Sequence, residues 1–306
     1  MTPRFTINVA LSVSENQRGR GISVKRIDLH THSTASDGTL TPRELVHRAQ
    51  REGVTLMALT DHDTTDGVEE AKAAGTEFGV RIIAGVELSV NHNEREMHIL
   101  GYNLDIDHPE LRAGLKELLE HRSERNPKII QRLRRLGIPI TMEEVMQEAG
   151  SQVIGRPHFG RLLVKKGVVS SVEEAFERFL ASGRPAYVKK ERLLPEEGLE
   201  LIRQAQGVPV LAHPVFLAER TYGELKDLLT RLKAAGLMGI EAYYPEHSFE
   251  DIQMFVRLAR ELELQVTGGS DFHGINRNAR LGRILPDGAP LPPDQCKKIE
   301  EWIAHV

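Results

Sequence analysis

Short runs of branched and apolar residues alternate along the chain with longer segments of helical spacing. "VKRIDLHTH" alternates and predicts a strand. "TPRELVHRAQREG" predicts a helix, with Thr41 as N-cap, Pro42 at the first helical position and Gly53 as terminator. "VTLMALTDHD" is an apolar run ending in polar residues, and "DGVEEAKAAGTEFG" is helical. "VRIIAGVELSV" and "EMHILGYNL" are again strands. Further along, "PEEGLELIRQAQG", "TYGELKDLLTRLKAAG" and "FEDIQMFVRLARELE" predict helices, with "VPVLAHP", "LMGIEAYYP" and "LQVTGGSDFHG" as strands between and after them. Repeated strand–helix units predict an α/β fold with a parallel sheet, open or closed into a barrel. Residues 105–190 break the alternation with an almost wholly helical pattern, so they are expected to form an inserted subdomain. Residues 1–24 are expected to be a loose extension, and 291–306 a C-terminal helix.

Composition narrows the class. A chain of 306 residues with 40% apolar and 27% charged residues can bury a sizeable core. A net charge of −4 implies no bulk attraction to DNA or membrane. No stretch approaches the length of a membrane span, and the first residues lack the apolar core of a signal peptide. The one cysteine, Cys296, excludes a disulfide framework and a cysteine zinc site, and it fits a reducing, cytoplasmic location.

Candidate chemistry collects at the ends of the predicted strands. The first ends in His30 and His32, with Asp37 in the following loop. The second ends in Asp61, His62 and Asp63, the third carries Glu87 and the fourth His98. A later strand ends in His213 and the last in Asp271 and His273. Only the strand at "EAYYP" brings no such residue near its end. Residues i and i+2 of a strand share a face, which pairs His30 with His32 and Asp271 with His273. Strand ends of parallel α/β folds converge on one rim, so six histidines and three carboxylates can meet there. That donor set suits Zn²⁺, Mn²⁺ or Fe²⁺. It exceeds the needs of one ion, so two or three divalent ions are expected, with Glu87 as a bridging carboxylate. Asp61 and Asp63 have two readings, as partners that orient ligand imidazoles or as capping and surface residues. His47, His92, His108, His121, His247 and His305 fall in predicted helices or loops and read as solvated.

Taken together, "DLHTHSTASDG", "LTDHDT", "GVELS", "HILGY", "LAHP" and "GSDFHG" resemble the polymerase and histidinol phosphatase (PHP) family, in order and across most of the chain. They resemble most its bacterial branch with a helical insertion, whose members cleave nucleoside 3′,5′-bisphosphates or degrade short RNA from the 5′ end. The resemblance implies a distorted (β/α)7 barrel, here residues 25–104 and 191–290, with the 105–190 insertion as a substrate lid. It implies three metals. His30, His32, Glu87 and Asp271 would hold one, Glu87, His98 and His213 a second, and Asp37, His62 and His273 a third. Mn²⁺ is favoured, with Fe²⁺ or Zn²⁺ as alternatives. The expected nucleophile is a hydroxide held by the metals, and no side chain is assigned as the acid. Alternatives are another PHP phosphatase, such as one for histidinol phosphate, or a non-catalytic module of the kind attached to DNA polymerases.

The insertion carries 16 Lys and Arg against 12 Asp and Glu, while the remainder is acidic. Its candidate substrate contacts are Arg125, Arg156, His158, Arg184, Tyr187 and Lys189. Arg156 and His158 surround a proline at a predicted helix start, where backbone N–H groups favour anions. Tyr187 could stack on a base or serve packing. Arg132 and Arg135 read as a solvated helix face. The expected partner is a small nucleotide or short RNA, with no membrane and no stable protein partner.

Overall fold

The computed structural model describes residues 26–93, 95–150, 153–188, 193–274 and 279–306. The expected extension at 1–24, and Lys189, lie outside them. Seven strands form one sheet in chain order: β1 (Arg26–Asp28), β2 (Val54–Leu59), β3 (Arg81–His92), β4 (Arg95–Tyr102), β5 (Val208–Leu211), β6 (Gly239–Tyr243) and β7 (Gln265–Gly268). The helices are α1 (Pro42–Arg51), α2 (Val68–Phe78), α3 (Pro109–Arg135), α4 (Met142–Ala149), α5 (Arg156–Lys165), α6 (Val172–Ala175), α7 (Pro195–Gln204), α8 (Tyr222–Ala234), α9 (Phe249–Glu261) and α10 (Pro293–Ile303). As the sequence predicts, Thr41 caps α1 in a capping box with Glu44, and Gly53 beyond its end has φ +78°.

The sheet closes on itself. Leu29 N–H donates to the Gly268 carbonyl at 3.2 Å, and Thr31 bridges Phe272. Closure depends on Gly269, where a Cβ would stand 2.2 Å from the Cβ of His30. The result is the distorted barrel. Its distortion is β4, which runs antiparallel to both β3 and β5. The purely parallel sheet expected from the alternation is therefore corrected. Two residues separate β3 from β4, too few for a parallel crossover, and Asn93 turns at φ +49°.

Alternation places the site. On β3, Val86, Leu88 and Val90 face outward into a core shared with α3, α7, α8 and α9, so Glu87 points into the barrel. Inside, Leu29, Leu56, Leu100 and Val210 pack with Cys296, Ile299 and Ile303 of α10. The polar residues occupy the opposite end. β1 and β7 stop at Asp28 and Gly268, so His30, His32, Asp271 and His273 stand in the loops beyond the strands and are not same-face strand pairs. Asp271 takes φ +52° and His213 φ +21°, strained values that a tightly packed site sustains.

Helices α3–α6 lie between β4 and β5. The first half of α3 sends Leu111, Leu115 and Leu118 into the barrel's outer core. Beyond Pro127, Ile129, Ile130 and Leu133 join a separate core with Val145, Phe159, Leu162 and Leu180. Among the described residues no helix is long and apolar enough to cross a membrane.

Candidate metal centre

All nine strand-end residues meet at one mouth of the barrel. Glu87 is the hub and is fully buried. Its Oε1 lies 2.7 Å from His98 Nδ1 and 3.1 Å from His213 Nε2. Its Oε2 lies 2.9 Å from His62 Nδ1, 3.2 Å from His32 Nε2 and 3.3 Å from His30 Nε2. Asp271 Oδ1 faces the same two nitrogens, at 3.4 Å from His30 and 3.1 Å from His32. Asp37 Oδ1 is 3.2 Å from His273 Nε2. His98 is not at a strand's C-terminal end. It belongs to the first half of β4, and the antiparallel direction brings that half to the rim.

Donor atoms within 4.8 Å of one another form three groups able to hold a metal: His30, His32, Glu87 and Asp271; His32, Asp37, His62 and His273; and His62, Glu87 and His98. His213 Nε2 adds to the last at 3.3 Å from His98 Nδ1. The chemistry fits divalent cations. Nε2 of His30, both ring nitrogens of His32, Nδ1 of His62 and Oε2 of Glu87 are buried and make no hydrogen bond, although they converge. Buried donor atoms that converge without bonding each other are what a cation would satisfy.

Electrostatics argue the same way. Burial alone would push Glu87, Asp271 and Asp37 up, yet neighbouring imidazolium charges hold all three carboxyls well below the usual range. Burial would lower His32, but Asp271 and Glu87 raise it to about 9. His98 rises to about 10, Glu87 outweighing its burial. The centre therefore demands positive charge, and protons supply it where metal does not. The stability contributed by protonated His32 and His98 in the metal-free protein is present below about pH 6.5 and lost as pH rises through 9–10.

The strand that appeared to bring nothing supplies a key residue. In β6, Ile240 and Ala242 face outward, which turns Glu241 into the barrel, fully buried. Its carboxylate stands 3.1 Å from His30 Nδ1 and accepts the His213 backbone N–H at 2.9 Å. It fixes the tautomer in which His30 Nε2 can accept a cation and anchors the strained backbone of His213. Asp61 follows neither reading: it is buried, and it accepts from Ser33 N–H at 2.8 Å and from the hydroxyls of Ser33 and Ser36, fixing the loop that carries His32 and Asp37. Asp63 accepts Ser89 N–H at 2.8 Å. Tyr244 donates to Asp271 Oδ2 at 3.1 Å.

The candidate substrate contacts divide. One cleft joins the metal groups to Arg125, Arg156 and Phe176. Arg156 pairs with Glu96, and its guanidinium lies 5.7 Å from the Phe176 ring and 5.6 Å from Tyr187. Tyr187 thus packs beneath an arginine, and Arg132 donates to its carbonyl. Arg161 of α5 donates to the Asp37 carbonyl at 3.1 Å, tying this helix to the loop that carries Asp37. Arg184 is exposed and outside the cleft lining. His158 is buried and its Nδ1 accepts Gly155 N–H at 2.9 Å, so it caps its own helix and does not face the cleft. His92 and His247, expected to be solvated, are buried: His92 pairs with Glu219 at 2.8 Å and His247 Nδ1 stands 2.9 Å from the Ala242 carbonyl.

Comparison with known proteins places this geometry. The PHP domain family model matches residues 28–131. The chain is 41% identical to a 5′-3′ exoribonuclease of Haemophilus influenzae, over 85% of this chain and 94% of that protein. It is 37% identical to a 3′,5′-nucleoside bisphosphate phosphatase of Chromobacterium violaceum, over 87% of this chain and 93% of that one. A Chromobacterium violaceum structure solved as an amidohydrolase with bound sulfate and no metal superposes with a TM-score of 0.79 at 35% identity, covering 90% of this chain and 96% of that one. A candidate metal-dependent phosphoesterase of Bifidobacterium adolescentis superposes with a TM-score of 0.80 at 29% identity, covering 90% of this chain and 95% of that one. With that family model matched, relatives 37–41% identical over most of both chains and the same fold in the solved structures, this chain belongs to the PHP family of metal-dependent phosphoesterases.

Proposed function

We propose that the protein removes the 3′-phosphate of nucleoside 3′,5′-bisphosphates, shortens small RNAs from the 5′ end, or does both, with His30, His32, Asp37, His62, Glu87, His98, His213, Asp271 and His273 holding two or three divalent ions. Mn²⁺ is the favoured ion, with Fe²⁺ or Zn²⁺ as alternatives, since imidazole and carboxylate donors without a thiolate suit all three. Bound there, such ions neutralise the oxygens of a phosphate and lower the pKa of water. The chain's own residues do the rest. Glu87 belongs to two of the three groups and joins them, Glu241 orients His30 and His213, and Asp61 holds the ligand loop in place.

The observation that carries the substrate assignment is Arg156, with Arg125 beside it, in the cleft that holds Glu87. The metal groups suffice for one phosphate. Arginine further along the same cleft suits another, and it is held ready between Phe176, Tyr187 and Glu96. A bisphosphate or an RNA backbone provides that second charge, and a simple monoester does not. A cytoplasmic location belongs to the same reading, supported by a single cysteine that is buried.

The test is a substrate panel on Mn²⁺-loaded protein: nucleoside monophosphates, 3′,5′-bisphosphates, short 5′-phosphorylated RNA and histidinol phosphate. Bisphosphate or RNA should lead in kcat/KM. A preference for histidinol phosphate or for monophosphates would overturn the assignment.

A further inference from the structure

Phe216 ends the short turn Pro214–Phe216 after β5 and lines the cleft together with Glu87 and Arg156. Half of its surface, 50%, is exposed, so it forgoes much of the burial a phenylalanine normally gains. Exposure by itself carries nothing: Phe249 at the start of α9 is equally exposed, at 50%, and lies outside the cleft.

Phe216 differs in three respects. Its turn is fixed, since Phe216 N–H donates to the His213 carbonyl at 3.2 Å and Leu217 N–H to the Pro214 carbonyl at 3.1 Å, with Pro214 and Leu217 both buried. Its ring meets His213 at 5.2 Å and Tyr244 at 5.9 Å, at interplanar angles of 65° and 84°. Both contacts are edge-to-face, and neither is the parallel stacking a planar ligand would use. Its position is also special. His213 joins the Glu87 cluster and Tyr244 bonds Asp271, so the ring stands one side chain away from the groups that would grip the scissile phosphate. Phe176, the other phenylalanine of the cleft, already carries the Arg156 guanidinium 5.7 Å from its ring.

We infer that Phe216 is a stacking platform for the nucleobase of the substrate, and so a specificity-determining residue. This rests on the nucleotide reading above. A nucleoside 3′,5′-bisphosphate has three chemically distinct parts: a phosphate to be cleaved, a second phosphate and a planar base. The cleft has three matching walls in the Glu87 cluster, Arg156 and Phe216. Every base has a π-face, so the platform tolerates any base sequence while favouring nucleotides over phosphorylated sugars. The contact is equal in ground and transition states, so its loss appears in KM.

The test compares adenosine 3′,5′-bisphosphate with 1,4-anhydro-D-ribitol 3,5-bisphosphate, the same molecule without its base. Wild type should favour the nucleotide in kcat/KM by about 5- to 150-fold, the range of a base–aromatic stack. Phe216→Leu, which keeps apolar bulk but has no π-face, should bring that ratio close to one through KM. Phe216→Trp should retain it. A Phe216→Leu protein that keeps the wild-type ratio overturns the platform, whatever its absolute rate. So does a wild type that treats the two substrates alike, and that result leaves the bisphosphate reading intact. Wild type inactive on both would remove the bisphosphate reading itself, and the platform with it.

Discussion

Glu87→Gln should lose more than about a thousandfold in kcat with the fold unchanged. No other side chain stands within 3.3 Å of five imidazoles, counted over the described residues. The amide keeps the shape but cannot supply a negative oxygen to each neighbouring group. Val86, Leu88 and Val90, which hold β3 in place, point the other way and are untouched. The loss should exceed the roughly 10- to 100-fold that follows removal of a residue orienting a ligand. Glu241→Gln sets that scale in the same assay, because Glu241 touches His30 and His213 from behind and no other group of the site. Far-UV circular dichroism and size exclusion check the fold, and stopped assays on the Mn²⁺-loaded variants check the rate. A Glu87→Gln enzyme near wild-type kcat would exclude Glu87 from the centre.

The second large effect concerns the lid. Arg156→Ala should lower kcat/KM on a 3′,5′-bisphosphate by roughly tenfold to a hundredfold, the equivalent of one charge-assisted contact of about 1.5–3 kcal/mol. On an aryl phosphate, which has no second anionic group, the loss should be far smaller. The difference should shrink as salt screens the contact, since the side chain is partly open to water. Equal losses on both substrates would make Arg156 a structural residue that merely pairs with Glu96 and covers Phe176 and Tyr187. The specificity argument from the lid would then fail.

Much of this site was legible in the sequence because histidines and carboxylates at strand ends have few structural uses. His30, His32, His62, Glu87, His213, Asp271 and His273 lie where strand ends converge in any closed β/α sheet. His98 came to the same rim for a reason the strand–helix alternation hid, the reversed direction of β4. The two residues between His92 and Arg95 were the available signal. Glu241 escaped because a lone glutamate in "GIEAY" looks like a solvent-facing residue until Ile240 and Ala242 are known to face helices. Glu96 and Phe216 carried no sequence signal. An exposed phenylalanine on a turn and a glutamate two residues before a histidine are ordinary, and only the cleft gives them meaning. His158 misled because a histidine at a helix start reads as an anion ligand as readily as a cap, and the choice depends on a side-chain rotation. The insertion's boundary was equally hidden, since α3 is one continuous helix whose two halves pack into different cores.

The central claim is that nine residues form one multinuclear centre, and counting metal ions tests it most directly. Metal-free protein should be loaded with Mn²⁺ at about pH 8, desalted and assayed for manganese per chain by elemental analysis. Loading should be weaker near pH 6, because His32 and His98, raised to about 9 and 10, hold protons that metal must displace. The expected result is two to three ions per chain, with at least one lost in Glu87→Gln. One ion or fewer in fully loaded wild type would contradict the account.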